Sequence, residues 1–307
     1  MKVLHVVNKF RGGYGTILKH LRSIGEEVLE RKTEGDVDYN KYDFVILHSY
    51  LKDFPFKEVK TKKIFFAHGM GGVSKRYILG KFEYNPIRWF KRSQIIRYFK
   101  QFDYYISVTQ SMSKMFKKLY GIDSITIYGG INFELLPEIN NNKREKVIAF
   151  IGKSDWFKGS DRFFKLMKMI PDFEGYFIGP YEGKVKDIPK NVKMLGFLEN
   201  PYEVLSKAKF LVVLSYFEPF SIATLEALYY NVPTLCLKST GGTWEILQML
   251  GIPLGFNNLN EIANFIRNHE NLYKEFHFDR KRFLEFFDIK RFNRDLKFYL
   301  NLLKNSH

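Results

Sequence analysis

The feature that most constrains the fold is an alternation running almost the length of the chain. Short, wholly apolar segments are separated by stretches with helical spacing. "KVLHVVN" (2–8), "FVILHS" (44–49), "KIFFAH" (63–68), "YYISVT" (104–109) and "SITIYGG" (124–130) form a first series of predicted strands. Between them, "TILKHLRSIGEEVLE", "NPIRWFKRSQIIRYFKQF" and "QSMSKMFKKLYG" carry apolar residues at helical intervals. A strand that is apolar at nearly every position is buried on both faces, which is the situation in a parallel sheet with helices on each side. The polar stretch "PEINNNKREK" (137–146) then breaks the pattern and serves as a linker. A second series follows: "VIAFIG", "GYFIG", "VKMLGF", "KFLVVLS" and "VPTLCL" as strands, with "GSDRFFKLMKMI", "PYEVLSKA", "SIATLEALYY" and "TWEILQML" as helices. The division expected is 1–138, 139–288 and a tail, 289–307, predicted as a helix that packs back on the first domain. Two doubly wound α/β domains are therefore expected to face each other across a cleft at the carboxyl ends of their strands, where such sheets bind ligands.

Composition narrows the class. Hydrophobic residues make up 45% and charged residues 27% of the 307 positions, which excludes a disordered chain. A single cysteine, Cys236, excludes an intramolecular disulfide and sits in a predicted buried strand, where a packed thiol is expected. No run of about 18 apolar residues is present, and "MKVLHVVN" has the pattern of a strand rather than a signal peptide. A cytoplasmic protein is the expectation. The formal net charge of +16 favours acidic partners: nucleotide phosphates, anionic lipid or nucleic acid. Eleven basic residues against two acidic ones lie within 75–118.

The candidate chemistry falls in strand-to-helix loops. "NKFRGGYGT" places Gly12 and Gly13 before a helix, where a backbone can approach an anion; the same loop is equally a plain tight turn. "AHGMGG" places His68 at a strand's carboxyl end. His5 and His48, inside strands, are expected in the core, and His20 on a helix face. No set of histidines, cysteines or carboxylates has metal-ligand spacing, so no metal is expected. "IGKSDWFKGSDR" offers Lys153 and Lys158 beside two glycines, either as a pair for a diphosphate or as solvated loop lysines. "EPFSIATLEALYY" puts Glu218 at a strand end and Glu226 about two turns into the following helix. Capping explains at most one of them. Two acids facing a cleft suit sugar hydroxyls, or the paired carboxylates of a glycosidase.

Taken in order along the chain, these segments resemble glycosyltransferase family 4, the glycosyl transferases group 1, of GT-B fold. "EPFSIATLEAL" resembles the family's E-x7-E motif and "IGKSDWFKG" its diphosphate segment. "GYFIGP", "NVKMLGFLEN", "VLSKAKFLVVLS" and "GGTWEIL" resemble successive landmarks. "RGGYGTILKHL", "AHG" and "IYGGIN" are the looser first-half counterparts. The resemblance implies a nucleotide-diphosphate sugar held mainly by the second domain and transferred with retention of configuration, without a metal. Lys153 and Lys158 would hold the diphosphate, Glu226 the ribose hydroxyls, and Glu218 the donor sugar with the amides of Phe220, Ser221 and Ile222. The base would lie near Phe197 and Leu198, Gly13 would approach the phosphate, and His68 would stand by the reacting sugar.

Ser221 departs from the family's glycine and is expected to narrow the donor pocket. Residues 31–43 are compressed, so acceptor-side loops are expected to be reduced, and the acceptor does not carry over. Two other classes remain: a sugar-nucleotide 2-epimerase on the same fold, and a basic protein that binds or glycosylates nucleic acid. The basic, aromatic 88–102 segment suits an anionic membrane surface, which would place the protein peripherally on the inner face of the membrane.

Overall fold

The computed structural model describes residues 1–8, 12–31, 37–69, 86–139, 144–181 and 187–305, with the side chains of 12–14 and 86–92 excepted. Residues 75–85 of the basic region therefore lie outside the described residues. Contacts divide the chain into two units, Met1–Asn132 with Glu285–His307, and Phe133–Leu284.

The first unit is built on six parallel strands in the order β2-β1-β3-β4-β5-β6. These are β1 Val3–Val7, β2 Glu27–Glu30, β3 Phe44–Leu47, β4 Lys62–Ala67, β5 Tyr104–Ser107 and β6 Ile125–Thr126. Its helices are α1 Gly12–Ser23, α2 Pro86–Phe99 and α3 Gln110–Tyr120, together with α10 Ile289–Asn305 from the chain's end. Burial on both sides explains the apolar runs: all five residues of β1 and all four of β3 are buried. The stretch "TILKHLRSIGEEVLE" is not one helix. Gly25, at φ +88, ends α1, and Glu27–Glu30 pairs with β1 as a strand with Val28 and Leu29 buried. Helix α3 is bounded as its sequence dictates: Thr109 accepts from the Met112 amide, and Gly121 closes the helix at φ +72. Phenylalanines fill the core, with Phe65 edge-on to Phe99 at 4.7 Å and Phe99 edge-on to Phe116 at 5.0 Å.

The chain's end is tied into this unit by backbone as well as side chains. Ile131 N–H donates to Phe287 O and Ile289 N–H donates to Ile131 O, each at 2.9 Å. Lys297 pairs with Glu26 at 2.5 Å and Lys304 with Asp43 at 2.8 Å. His20, placed on a helix face by its spacing, is buried, and its Nδ1 accepts from the Asn132 amide at 2.9 Å.

The second unit also has six parallel strands, in the order β12-β11-β10-β7-β8-β9. They are β7 Glu145–Ile151, β8 Glu174–Ile178, β9 Val192–Gly196, β10 Ala208–Val213, β11 Thr234–Leu237 and β12 Gly255–Phe256. The helices are α4 Ser160–Met169, α5 Tyr202–Lys207, α6 Ile222–Tyr229, α7 Gly242–Met249 and α8 Leu259–Asn268, with α9 Arg280–Phe287 starting in this unit and ending in the first. Phe133 packs in this unit, stacked on Tyr229 at 5.4 Å and edge-on to Phe283. Cys236 is fully buried in β11, and burial pushes its thiol up to about 12. The order reverses direction between β7 and β10, so the loops leaving these two strands open side by side at the carboxyl edge. That reversal is where a sheet of this kind leaves room for a ligand. Among the described residues no helix is long and apolar enough to cross a membrane.

Candidate functional site

The β7–α4 loop carries Lys153 and Lys158, and the β10–α6 loop carries Glu218. The two loops are stitched together by backbone and side chains. Tyr216 N–H donates to Phe157 O at 2.9 Å, Ser215 Oγ lies 3.4 Å from Lys158 O, and the Arg162 guanidinium donates to Leu214 O at 3.1 Å. Asp155 accepts from the Phe157 amide and so shapes the turn that presents Lys158. Across this seam the Lys158 ammonium meets the Glu218 carboxylate at 2.7 Å, and Ser215 Oγ donates to the same carboxylate oxygen at 3.2 Å. The lysine side chain is 39% exposed and the glutamate side chain only 11%, so the cation faces outward over a sheltered anion.

Glu218 is also clamped through its backbone. Its N–H donates to Thr240 O at 2.7 Å and its carbonyl accepts from the Gly242 amide at 2.8 Å. Three strand-end loops, after β7, β10 and β11, thus converge on one residue, Glu218. The amino ends of α4 and α6, with their positive dipole ends, lie at the same edge.

Helix α6 starts at Ile222, so Glu226 stands at the beginning of its second turn, not two turns in as spacing suggested. Ser221 is the helix cap. Its Oγ accepts from the Thr224 amide at 3.2 Å and from the Thr224 hydroxyl at 2.8 Å, which turns the side chain back on the helix. Phe220 and Ile222 are buried. Lys153 is exposed at the mouth of its loop, Leu198 is half-buried, and Phe197 is 76% exposed just past β9.

Glu226 is buried at 9% exposure, and its partner is the Tyr202 hydroxyl at a long 3.4 Å. Burial pushes its carboxyl up from an ordinary 4.5 to about 7. A carboxyl whose folded value is raised binds its proton more tightly than the unfolded chain does. The contribution of Glu226 to stability is therefore greatest below about pH 4.5 and is lost as pH rises through about 7, a penalty on the order of 3 kcal/mol. Glu226→Gln is expected to remove that penalty. In urea unfolding the variant should match the parent near pH 4 and exceed it near pH 8. Equal differences at both pH values would show that the carboxyl is not held protonated.

The structure brings Lys158, Glu218 and Ser221 into one seam, with Glu226 one helical turn beyond. Ser215, Arg162 and Tyr202 were not singled out by sequence. Ser215 had a signal, the polar end of "KFLVVLS". The other two had none, because their roles come from packing. A pocket of about 800 Å³ lies at the amino edge of this sheet, lined by Arg144, Tyr229, Tyr230, Tyr273, Lys274 and Arg280 among others. Its guanidiniums are already occupied: Arg144 donates to Ser206 O and Tyr230 O, and Arg280 to Tyr229 O. In the first unit, α1 opens at Gly12 and Gly13, and half-buried His68 follows β4 directly.

Comparison with known proteins points the same way. Residues 132–267 match the family described as "Glycosyl transferases group 1". An uncharacterized 41.2 kDa protein in the cps region of Klebsiella pneumoniae is 22% identical over 88% of this chain and 90% of that protein. A Campylobacter jejuni alpha-1,4-N-acetyl-D-galactosaminyltransferase that acts on a diNAcBac-PP-undecaprenol-linked glycan is 24% identical over 53% of this chain and 50% of the enzyme. The crystal structure of Anabaena Alr3699/HepE in complex with UDP and glucose superposes with a TM-score of 0.73 at 14% identity, over 98% of this chain and 99% of that one. Residues 132–267 thus carry the sequence pattern of the glycosyl transferases group 1, in a chain with the GT-B fold of two Rossmann-like units.

Proposed function

We propose that the protein is a retaining, metal-independent glycosyltransferase that takes a hexosyl group from a nucleotide-diphosphate sugar. The observation that carries this reading is the Lys158–Glu218 pair, at the strand reversal of a group 1 domain. An ammonium over a sheltered carboxylate can hold a diphosphate on one side and keep an acceptor oxygen aimed at sugar hydroxyls on the other. Lys158 and Lys153, with the amino ends of α4 and α6, take the diphosphate. Glu218 and the α6 amides take the donor sugar, Glu226 the ribose hydroxyls, and exposed Phe197 with Leu198 the base. In transfer, the bond from the anomeric carbon to the diphosphate oxygen breaks. An acceptor hydroxyl oxygen bonds to that carbon on the same face, and its proton goes to the departing diphosphate. His68 is the first unit's contribution.

The acceptor we propose is a glycan or lipid-linked glycan. The Campylobacter relative's diphospho-undecaprenol substrate supports that class. So does the first unit's basic surface, where Lys114, Lys117 and Lys118 are exposed on α3, because it suits an anionic membrane carrying such an acceptor.

Thermal unfolding with UDP, GDP and ADP in the presence of a chelator tests the reading. One nucleotide is expected to stabilise the protein, by about 2.7 kcal/mol at a hundred times its Kd. UDP is the first choice, given the Anabaena complex. The cognate nucleotide sugar should then release that nucleotide when an acceptor is supplied. No response to any of the three would end the proposal; a response only when divalent metal is restored would end its metal-independent part.

A further inference from the structure

Three histidines on adjoining strands of the first unit form a continuous hydrogen-bonded row. His5 lies in β1, His48 directly follows β3 and His68 directly follows β4. The register pairs His5 with Ile46 and Ile46 with Ile64, so the two-residue period puts all three histidines on one face of the sheet. Each imidazole stands further towards the carboxyl edge than the last. His5 Nδ1 is 2.8 Å from His48 Nε2, and His48 Nδ1 is 2.7 Å from His68 Nε2. The ring centroids follow in the same order, 5.1 Å and 5.0 Å apart, and Phe66 stacks on both His48 and His68.

Burial keeps this row uncharged. It holds His5 down at about 4, His68 at about 3 and His48 well below its ordinary value, so all three are neutral at physiological pH. A neutral imidazole has one N–H and one bare nitrogen. Two bonds shared by three such rings must therefore run in the same direction, and the direction is decided at the closed end. His5 Nε2 is buried without a partner. Running the row inward would strand an N–H there, while running it outward leaves only a bare lone pair. A stranded buried N–H is the rarer and costlier outcome. The charges that His5 feels, Glu26 and Lys297, neutralise each other in a 2.5 Å ion pair and do not reverse this preference.

We infer that His5 and His48 are positioning residues that fix His68 as its Nδ1–H tautomer, so that His68 meets substrate as a hydrogen-bond donor and not as a base. The tautomer follows from the row itself, and the meeting with substrate rests on the glycosyltransferase reading. His5 Nδ1–H donates to His48 Nε2, and His48 Nδ1–H donates to His68 Nε2. A neutral donor at this place adds no positive charge to compete for the diphosphate and takes no proton from the acceptor hydroxyl.

Long-range proton–nitrogen correlation spectra of the full chain with labelled histidine read the tautomers directly, with His68→Gln supplying the assignment. At pH 6–8, His68 is expected to show a protonated Nδ1 and a bare Nε2. A protonated Nε2, or a charged ring, overturns the inference. His48→Phe keeps the ring's shape and stacking but removes both hydrogen bonds. It should turn His68 into a tautomer mixture and lower turnover about tenfold or more, while nucleotide affinity is unchanged. His48→Asn keeps a donor near the position of Nδ1 and should restore most of both. Unchanged tautomer and turnover in His48→Phe would overturn the inference, and if that variant does not fold, the parent spectrum decides alone. Absence of any nucleotide-sugar turnover would count against the glycosyltransferase reading and leave the tautomer result standing.

Discussion

Lys158→Ala is expected to lower turnover of the nucleotide sugar by about 10²–10³-fold, the usual loss when one group that stabilises a developing negative charge is removed. The side chain does two things at once. It is the cation best placed to meet a diphosphate at the strand reversal, and it neutralises a carboxylate that is only 11% exposed. Without it, Glu218 keeps the Ser215 hydroxyl as its side-chain hydrogen-bond donor and faces the incoming diphosphate as an uncompensated like charge. Nucleotide affinity should therefore fall together with turnover. Stability should fall far less, by about 1–2 kcal/mol, because the lysine end of the pair is well exposed to water. Lys153→Ala, at an exposed position, should cost less in both respects. Calorimetric titration with nucleotide, beside a melting curve, separates the two roles. A lowered melting temperature with unchanged nucleotide affinity would show that Lys158 is structural and that the diphosphate binds elsewhere.

Most of the architecture was legible because burial on both faces writes itself into a strand as an unbroken apolar run. The failures have equally specific causes. In "SIGEEVLE" the two glutamates flanking Val28 and Leu29 belong to an edge strand with one exposed and one half-buried end, and four residues are too few to show a period. Gly25 was the one mark of the break. Strand β12 has only two residues and carries no pattern at all.

At the site, sequence could place Lys158 and Glu218 each at a strand's carboxyl end. It could not join them across sixty positions, since that depends on β7 and β10 lying side by side. For Ser221 the size was legible and the hydrogen bonding was not. Its hydroxyl caps α6. The histidine row is the extreme case. His5, His48 and His68 are 43 and 20 positions apart, each ordinary in its own segment, and only the register of three strands puts them in line.

Gly159→Ala should be one of the most damaging small substitutions in the second unit. Gly159 sits at φ +81, a conformation that costs an L-residue about 1–2 kcal/mol. Strain of that size is often tolerated. What is not tolerable is the space: a Cβ on Gly159 would lie 2.1 Å from the Leu214 carbonyl oxygen and 2.5 Å from its carbon. These are backbone atoms at the end of β10, with no side-chain rotamer to yield, and the same carbonyl accepts from Arg162. Relief requires the two loops to separate. That strains the Tyr216–Phe157 backbone bond and the Ser215–Lys158 contact, and it moves Lys158 away from Glu218. The expected loss is about 3–5 kcal/mol, the sum of left-handed strain and overpacking. For a unit of this size it corresponds to a melting temperature lower by about 10 °C. Gly251→Ala is the matched control in the same unit. Its φ is +67, with nothing within 4 Å of the added carbon, so it should lose only the conformational part. The difference between the two variants measures how tightly the loops are locked. Where Gly159→Ala remains folded, at low temperature, its nucleotide affinity should be reduced, while that of Gly251→Ala should equal the parent's. Equal destabilisation by the two substitutions would mean that the seam between the loops gives way easily. The Lys158–Glu218 geometry would then be adjustable on ligand binding, not built in beforehand.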